Sequence, residues 1–263
     1  MFGYIHEFND YYIKLLQLAA YSKDNSDPSC KFSYQSQTDR ELATLKNSYQ
    51  LDTIAGHGDE ISQWKNLTQW LNGRHPHGNV QPPDLCNAVE VLKLSDDSPV
   101  TMNCYVLATV LNEMFLSLGY HSRRVHCRSY DAYDLDSHVV TTVYSKTYRK
   151  WLFFDPSWNC YVTDDNEMIL SLQEFRNRLM NNLPVWVNGN PAESEWSTFY
   201  KGYMAKNMFW FSCPVDSEFD GQGNSHCVLL PEHFLPMELT RALPSNMKHI
   251  ITRNPDHFWI QPL

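Results

Sequence analysis

The sequence predicts an α+β fold: a helix bearing a cysteine packed on an antiparallel sheet, with helical additions at both ends. Three observations carry this prediction. Apolar residues recur at helical spacing through most of the first 118 positions. After Gly119 the texture changes to short runs rich in Val, Thr and aromatic residues. The strongest helical pattern, just before that change, opens on Cys104.

The first element is an amphipathic helix with Tyr4, Phe8, Tyr11, Tyr12, Leu15, Leu16 and Ala19 on one stripe. Thr38 and Glu41, in capping-box spacing, announce a second helix carrying Leu42, Leu45 and Tyr49. A third begins near Asp59, carries Ile61, Trp64, Leu67 and Leu71, and is expected to stop at Asn72-Gly73. A turn-rich connection over 74–83 follows, then a short helical pattern from Asp84 to Leu92 that Asp96-Asp97-Ser98-Pro99 breaks. From Asn103 to Leu118 apolar residues at 106, 107, 110, 111, 114, 115 and 118 form the best helix, and Gly119 is placed to end it. Strands are expected over 123–128, 137–144 and 150–154. Ser171 with Glu174 starts another helix, the aromatics Trp196, Phe199, Tyr200 and Tyr203 mark one more, and strands follow near 208–213 and 226–230. With no repeat or linker, residues 1–263 read as a single domain.

Composition narrows the function. The 263 residues include 21 Lys+Arg against 30 Asp+Glu, a formal charge of −9 without a basic run, so no nucleic-acid partner is expected. At 43% hydrophobic and 19% charged the chain is not disordered. No apolar tract approaches the length of a membrane span, and no membrane partner is expected. The N-terminal segment lacks a basic leader, and the seven cysteines form no Cys-x-x-Cys pair. A reducing, cytoplasmic setting is therefore the expectation.

The chemistry is expected from three residues. If the turn Ser145–Tyr148 is symmetric, Tyr144 opposes Arg149, Thr142 opposes Trp151, Val140 opposes Phe153 and His138 opposes Asp155. Opposed side chains lie roughly 4.5–5.5 Å apart at Cβ, close enough for the carboxylate to fix the imidazole tautomer and support the imidazolium. Cys104 sits where free helix N–H groups favour a thiolate and could stabilise an oxyanion. Nucleophile, base and orienter thus occur in the order a thiol enzyme needs.

The same residues resemble a known family. Asn103-Cys104 opening an apolar helix, Leu118-Gly119-Tyr120-His121-Ser122-Arg123-Arg124-Val125, Ser137-His138-Val139-Val140 and Trp151-Leu152-Phe153-Phe154-Asp155-Pro156-Ser157 resemble the transglutaminase-like superfamily over about residues 95–165. The resemblance implies a papain-like core with Cys104 as nucleophile, His138 as base and Asp155 as orienter. It also implies a thioester intermediate on an amide or peptide acyl group, and an upstream Trp, Tyr or Gln side chain as second oxyanion donor. Trp64, Trp70 and Gln81 stay open for that place. The chain lacks the flanking domains of animal transglutaminases and the zinc-holding cysteine pairs of peptide N-glycanases, so neither calcium-regulated cross-linking nor zinc carries over.

The expectation is a Cys-His-Asp amide hydrolase or acyltransferase acting on a peptide, protein or other amide-containing substrate, with an amine acceptor in the transfer case. A noncatalytic peptide-binding module and a biosynthetic amide-forming acyltransferase remain the alternatives. No metal or organic cofactor is expected. His75-Pro76-His77 with Cys86 reads as a polar loop, Asp164–Glu167 as a solvated turn, and Cys127 and Cys160 as packed strand cysteines, with redox partners of Cys104 as the alternative.

Overall fold

The computed structural model describes residues 3–24, 26, 30–131, 134, 136–221, 223–234 and 247–263, with side chains from position 9 onward. The packing expected of Tyr4 and Phe8 therefore lies outside the described residues. The first helix, α1, runs over Gly3–Leu18; Leu16 is buried on it, whereas Tyr11, assigned to the same stripe, is 61% exposed.

The N-terminal half is helical. After the two-residue strand β1 (Ser33–Tyr34) come α2 (Arg40–Ser48), α3 (Leu51–Ala55), α4 (Glu60–Arg74), α5 (Ala88–Lys93) and α6 (Cys104–Ser117). The cap of α2 is Asp39 rather than Thr38, whose hydroxyl pairs with Ser36 instead. Asp59 caps α4 by accepting from Ser62 N at 2.7 Å, and α4 runs one residue past Gly73 to Arg74. Asn103 caps α6 by accepting from Val106 N at 3.0 Å, a contact of the kind that contributes about 1 kcal/mol. Gly119 ends the helix at φ 83°, a left-handed conformation that only glycine adopts without strain.

A mostly antiparallel six-stranded sheet follows in the order β10-β9-β7-β2-β3-β4. Its strands are β2 (Ser122–Arg128), β3 (His138–Ser145), β4 (Lys150–Phe154), β7 (Trp210–Pro214), β9 (Ser225–Leu229) and β10 (Lys248–Thr252), with only the β9–β10 pair parallel. Outside it lie β5 (Val162–Thr163) paired with β6 (Trp186–Val187), and β8 (Asp216–Ser217) paired with β1. The helices α7 (Leu172–Met180), α8 (Glu195–Asn207) and α9 (Pro255–Phe258) complete the order.

Alternation along the strands sorts side chains into two cores. Val125, Cys127, Val140 and Phe153 join the cluster built on α7 and α8, while Val143, Leu152 and Phe154 join the one built on α4 and α6. The sheet is thus sandwiched between helical layers, with α6 on one face and α8 on the other. Thr141 ties the first layer down by donating to Ala108 O at 2.9 Å.

The hairpin register differs from the symmetric-turn expectation. Tyr144 pairs with Trp151, Thr142 with Phe153 and Thr141 with Phe154, a slip of two residues. The turn is Lys146–Arg149: Tyr148 N donates to Ser145 Oγ at 2.9 Å, and Arg149 takes φ 52° to re-enter the ladder. Asp155 consequently lies past the last paired residue, diagonal to His138 rather than opposite it. An even slip keeps both on the same face.

Cys30 and Cys227 form a disulfide across 197 residues of chain, which the odd cysteine count had not suggested; the other five cysteines are free. Among the described residues no helix is long and apolar enough to cross a membrane.

Candidate active site

Cys104, at the first position of α6, comes from one helical layer, whereas His138 and Asp155 face the other. They meet around the end of the sheet where β3 begins. The Cys104 sulfur lies 3.9 Å from Ser137 O, immediately before His138. His138 Nε2 and Asp155 Oδ2 are 2.7 Å apart, both side chains almost fully buried. This leaves Nδ1, which completes no hydrogen bond of regular geometry, as the imidazole nitrogen available to the sulfur.

The electrostatics follow from this arrangement. Burial alone would raise the Cys104 pKa, but hydrogen bonds from His138 and His77, the His138 charge and the Val139 backbone outweigh it and bring the thiol down to about 6. Burial would likewise lower His138, yet the Asp155 carboxylate and the Cys104 sulfur overcome it and lift the imidazole to about 10. Both shifts favour a thiolate beside an imidazolium.

Asp155 is fixed from three directions. Its Oδ2 also accepts from Tyr200 OH at 3.1 Å, its Oδ1 accepts from Ser157 N at 3.0 Å, and its backbone forms a bridge with Cys160. Helix α8 also carries Tyr203, whose ring lies 5.3 Å from that of His138 and whose hydroxyl donates to Asp136 Oδ1 at 3.1 Å. Lys206 on the same helix binds Asp134 at 2.8 Å and Asp136 at 2.7 Å, anchoring the approach to β3. Trp158 stacks on His138, with centroids 4.9 Å apart and planes at 25°.

His77 is the residue that sequence reasoning missed. Its segment runs beside the residues leading into α6, with Met102 N donating to Pro76 O at 3.0 Å and Gly78 N to Met102 O at 2.9 Å. Gly78 is required by this approach, since a Cβ there would stand 2.5 Å from Thr101 Cγ2. His77 thereby reaches the sulfur, with its ring 5.2 Å from that of Trp158. His75 plays a different part: it is buried, with Nδ1 2.9 Å from Val100 O and Nε2 3.0 Å from Ser95 Oγ. Among the described residues no group of three or more His, Cys, Asp or Glu side chains could hold a metal ion.

The proposed oxyanion donors fare differently. Trp64 is buried against Phe115, Tyr120 and Phe154, toward the far end of α6, and Trp70 packs on Tyr49 and Arg74. Gln81 is exposed, next to Val80, whose carbonyl accepts from Asn103 Nδ2 at 2.9 Å. Cys127 and Cys160 are buried free thiols, aligned with His138 and Asp155 respectively, and burial pushes both well above the ordinary thiol range.

Residues 47–156 match the model of the transglutaminase-like superfamily. This segment is similar to a transglutaminase-like core. It begins earlier than the 95–165 expected from motifs and takes in His77 along with Cys104, His138 and Asp155, but not the tyrosines of α8. The transglutaminase-like α+β arrangement, a cysteine-bearing helix against a mostly antiparallel sheet, is the one the resemblance implied. Among solved structures, the chain is similar to a Cytophaga hutchinsonii protein called a "Putative Cysteine Protease". The identity is 13% and the TM-score 0.37, over 60% of this chain and half of that one. No curated protein matches.

Proposed function

We propose that the protein is a thiol enzyme acting on an amide or peptide bond, with Cys104 as nucleophile, His138 as general acid and base, and Asp155 as the residue that orients the imidazole. The observation that carries this reading is the bridging position of His138, with Nε2 on a buried carboxylate and the sulfur of Cys104 coupled to the same ring. A binding module has no use for a thiolate at neutral pH.

In the proposed reaction the Cys104 thiolate adds to the substrate carbonyl, and the negative charge passes to the carbonyl oxygen. The free N–H groups of the first turn of α6 are one source of stabilisation for that oxygen, and the His77 side chain is the second. The imidazolium of His138 protonates the departing amine as the C–N bond breaks, leaving a thioester. Water, deprotonated by the now neutral imidazole, adds to the thioester carbonyl and expels the thiolate, which releases the acid and restores the thiolate–imidazolium pair. An amine in place of water gives acyl transfer by the same steps; hydrolysis is the preferred reading. No step requires a metal or organic cofactor.

The Cys30–Cys227 disulfide supports an oxidising compartment over the cytoplasm expected from the cysteine count.

The test is incubation of wild-type protein and Cys104→Ala with a mixed peptide pool, with and without added primary amine, read by mass spectrometry. New termini or amine adducts that depend on Cys104 are expected. An unchanged pool in both proteins, with no acyl adduct on Cys104, would overturn the reading.

A further inference from the structure

On the face of the sheet that meets α6, β2 presents Arg124, His126 and Arg128, alternating with the residues that face α8. The first turn of α6 lies over this row: the Tyr105 ring is 4.5 Å from the Arg124 guanidinium carbon and 6.0 Å from the His126 ring. His226 of β9 continues the row, its ring 5.6 Å from that of His126, and Ser212 of β7 pairs with His126 in the ladder. One further step along the β2–β3 ladder sets Arg128 opposite Ser137, whose carbonyl is the one beside the Cys104 sulfur. The row therefore ends next to the candidate nucleophile.

These groups are cationic or hydrogen-bonding, and the protein satisfies them only in part: the Arg124 guanidinium donates to Thr109 Oγ1 at 2.6 Å and to Gly221 O at 3.4 Å. Arg124 Nε, Arg128 Nε, Ser212 Oγ, His226 Nδ1 and His249 Nε2 are all buried without a hydrogen-bond partner. Arg124, Ser212 and His226 are more than nine-tenths buried. Among the described residues no carboxylate comes within ion-pair distance of Arg124 or Arg128, in a chain of net charge −9. Glu113, which acts on Arg124 from further off, is itself buried, and desolvation raises its pKa to about 8. Burial and the two guanidinium charges depress His126 strongly and bring His226 down to about 3, so the row holds two fixed charges flanked by neutral imidazoles. These five orphaned polar atoms lie on neighbouring strands of one sheet, and buried polar groups of this kind call for an ion or a polar ligand. Tyr105, His126 and Arg128 are only half-buried, so the row is not sealed from solvent, and the Arg128 guanidinium carbon lies 5.3 Å from the Trp210 ring.

We propose that Arg124, His126 and Arg128, with Ser212 and His226 beside them, form an oxyanion-binding subsite under the first turn of α6. It takes a carboxylate or phosphate group carried by the substrate of Cys104. The placement of the anion on the substrate rests on Cys104 being the nucleophile; the binding of an oxyanion does not.

The test compares alkylation of Cys104 by anionic iodoacetate and neutral iodoacetamide, at matched pH and ionic strength, in wild type, Arg128→Gln, Arg128→Lys and Lys146→Gln. Lys146 is an exposed cation in the β3–β4 turn and serves as the control. The expected result is a fall of about five-fold in the iodoacetate-to-iodoacetamide rate ratio for Arg128→Gln, the effect of one unscreened charge near the sulfur. Arg128→Lys and Lys146→Gln should keep the wild-type ratio. A ratio in Arg128→Gln equal to wild type would overturn the subsite. The iodoacetamide rate alone reports the thiolate and so fails separately if Cys104 is unactivated. Protection of Cys104 by succinate or by inorganic phosphate then shows which oxyanion the subsite prefers. Should Arg128→Gln not fold, protection of wild-type Cys104 from iodoacetamide by millimolar phosphate or succinate at constant ionic strength decides: saturable protection by either supports the subsite, and none by both overturns it.

Discussion

Tyr200 donates to Asp155 Oδ2 at 3.1 Å, the same oxygen that accepts from His138 Nε2 at 2.7 Å. A residue from α8, outside the matched core, thus helps set the carboxylate that orients the imidazole. Tyr200→Phe removes one buried hydrogen bond and is expected to lower stability by about 1 kcal/mol in denaturant titration. The Cys104 alkylation profile should shift less than in Asp155→Asn, where the imidazolium loses its counter-charge. Equal profiles for Asp155→Asn and wild type would remove Asp155 from the account.

The pH dependence has a definite sign on each limb. Cys104 is depressed to about 6, so its contribution to stability is present above the unfolded thiol value and is lost as pH falls through about 6. His138 is raised to about 10, so its contribution is full below the unfolded value of about 6.5 and is lost as pH rises through about 10. The kcat/KM of an amide substrate should accordingly rise through about pH 6 and fall through about pH 10. A profile flat between pH 5 and 7, values set to straddle the lower limb, would contradict the thiolate assignment.

His77 supplies the second imidazole at the sulfur. In His77→Ala the alkylation inflection of Cys104 should move upward, by less than in His138→Ala, with Tm nearly unchanged because the segment is held through backbone bonds. Gly78→Ala should act on the same site indirectly, since its Cβ would press on Thr101 and push the His77 segment away. A cost of about 1–3 kcal/mol is expected, relieved in the double variant with Thr101→Ser. Failure of that relief would show that the close approach at Gly78 is not what the substitution disturbs.

The disulfide can be counted. Denatured, unreduced protein should titrate five thiols and reduced protein seven. Cys30→Ser should lower stability by about 2–5 kcal/mol, the range for removing a native crosslink. Seven thiols without reduction would refute the pairing and return the weight to a reducing compartment.

The element types were legible because their signals are local. Asn103 before Cys104 and Gly119 after Leu118 mark the ends of α6, and the Val- and Thr-rich runs mark β2 and β3. The hairpin register was not, because a tyrosine N–H caught by Ser145 and a left-handed Arg149 lengthened the turn. His138 and Asp155 still came together because the side-chain period of a strand is two, and the slip was even. The roles of His77 and α8 depend on contacts between distant segments. The stripe of Trp196, Phe199, Tyr200 and Tyr203 announced a helix but not that Tyr200 would reach Asp155, and nothing in the turn-rich 74–83 segment indicates its pairing with Met102. Strand β10 went unseen, and the partner of Cys30 lies 197 residues away.

The most direct measurement is the pH dependence of iodoacetamide alkylation at Cys104, followed by peptide mapping, in wild type and His138→Ala. The account requires a wild-type inflection near pH 6 that moves in His138→Ala toward the ordinary thiol value of about 8.5. An inflection at the ordinary value in both proteins would contradict the thiolate–imidazolium pair at the centre of the proposed function.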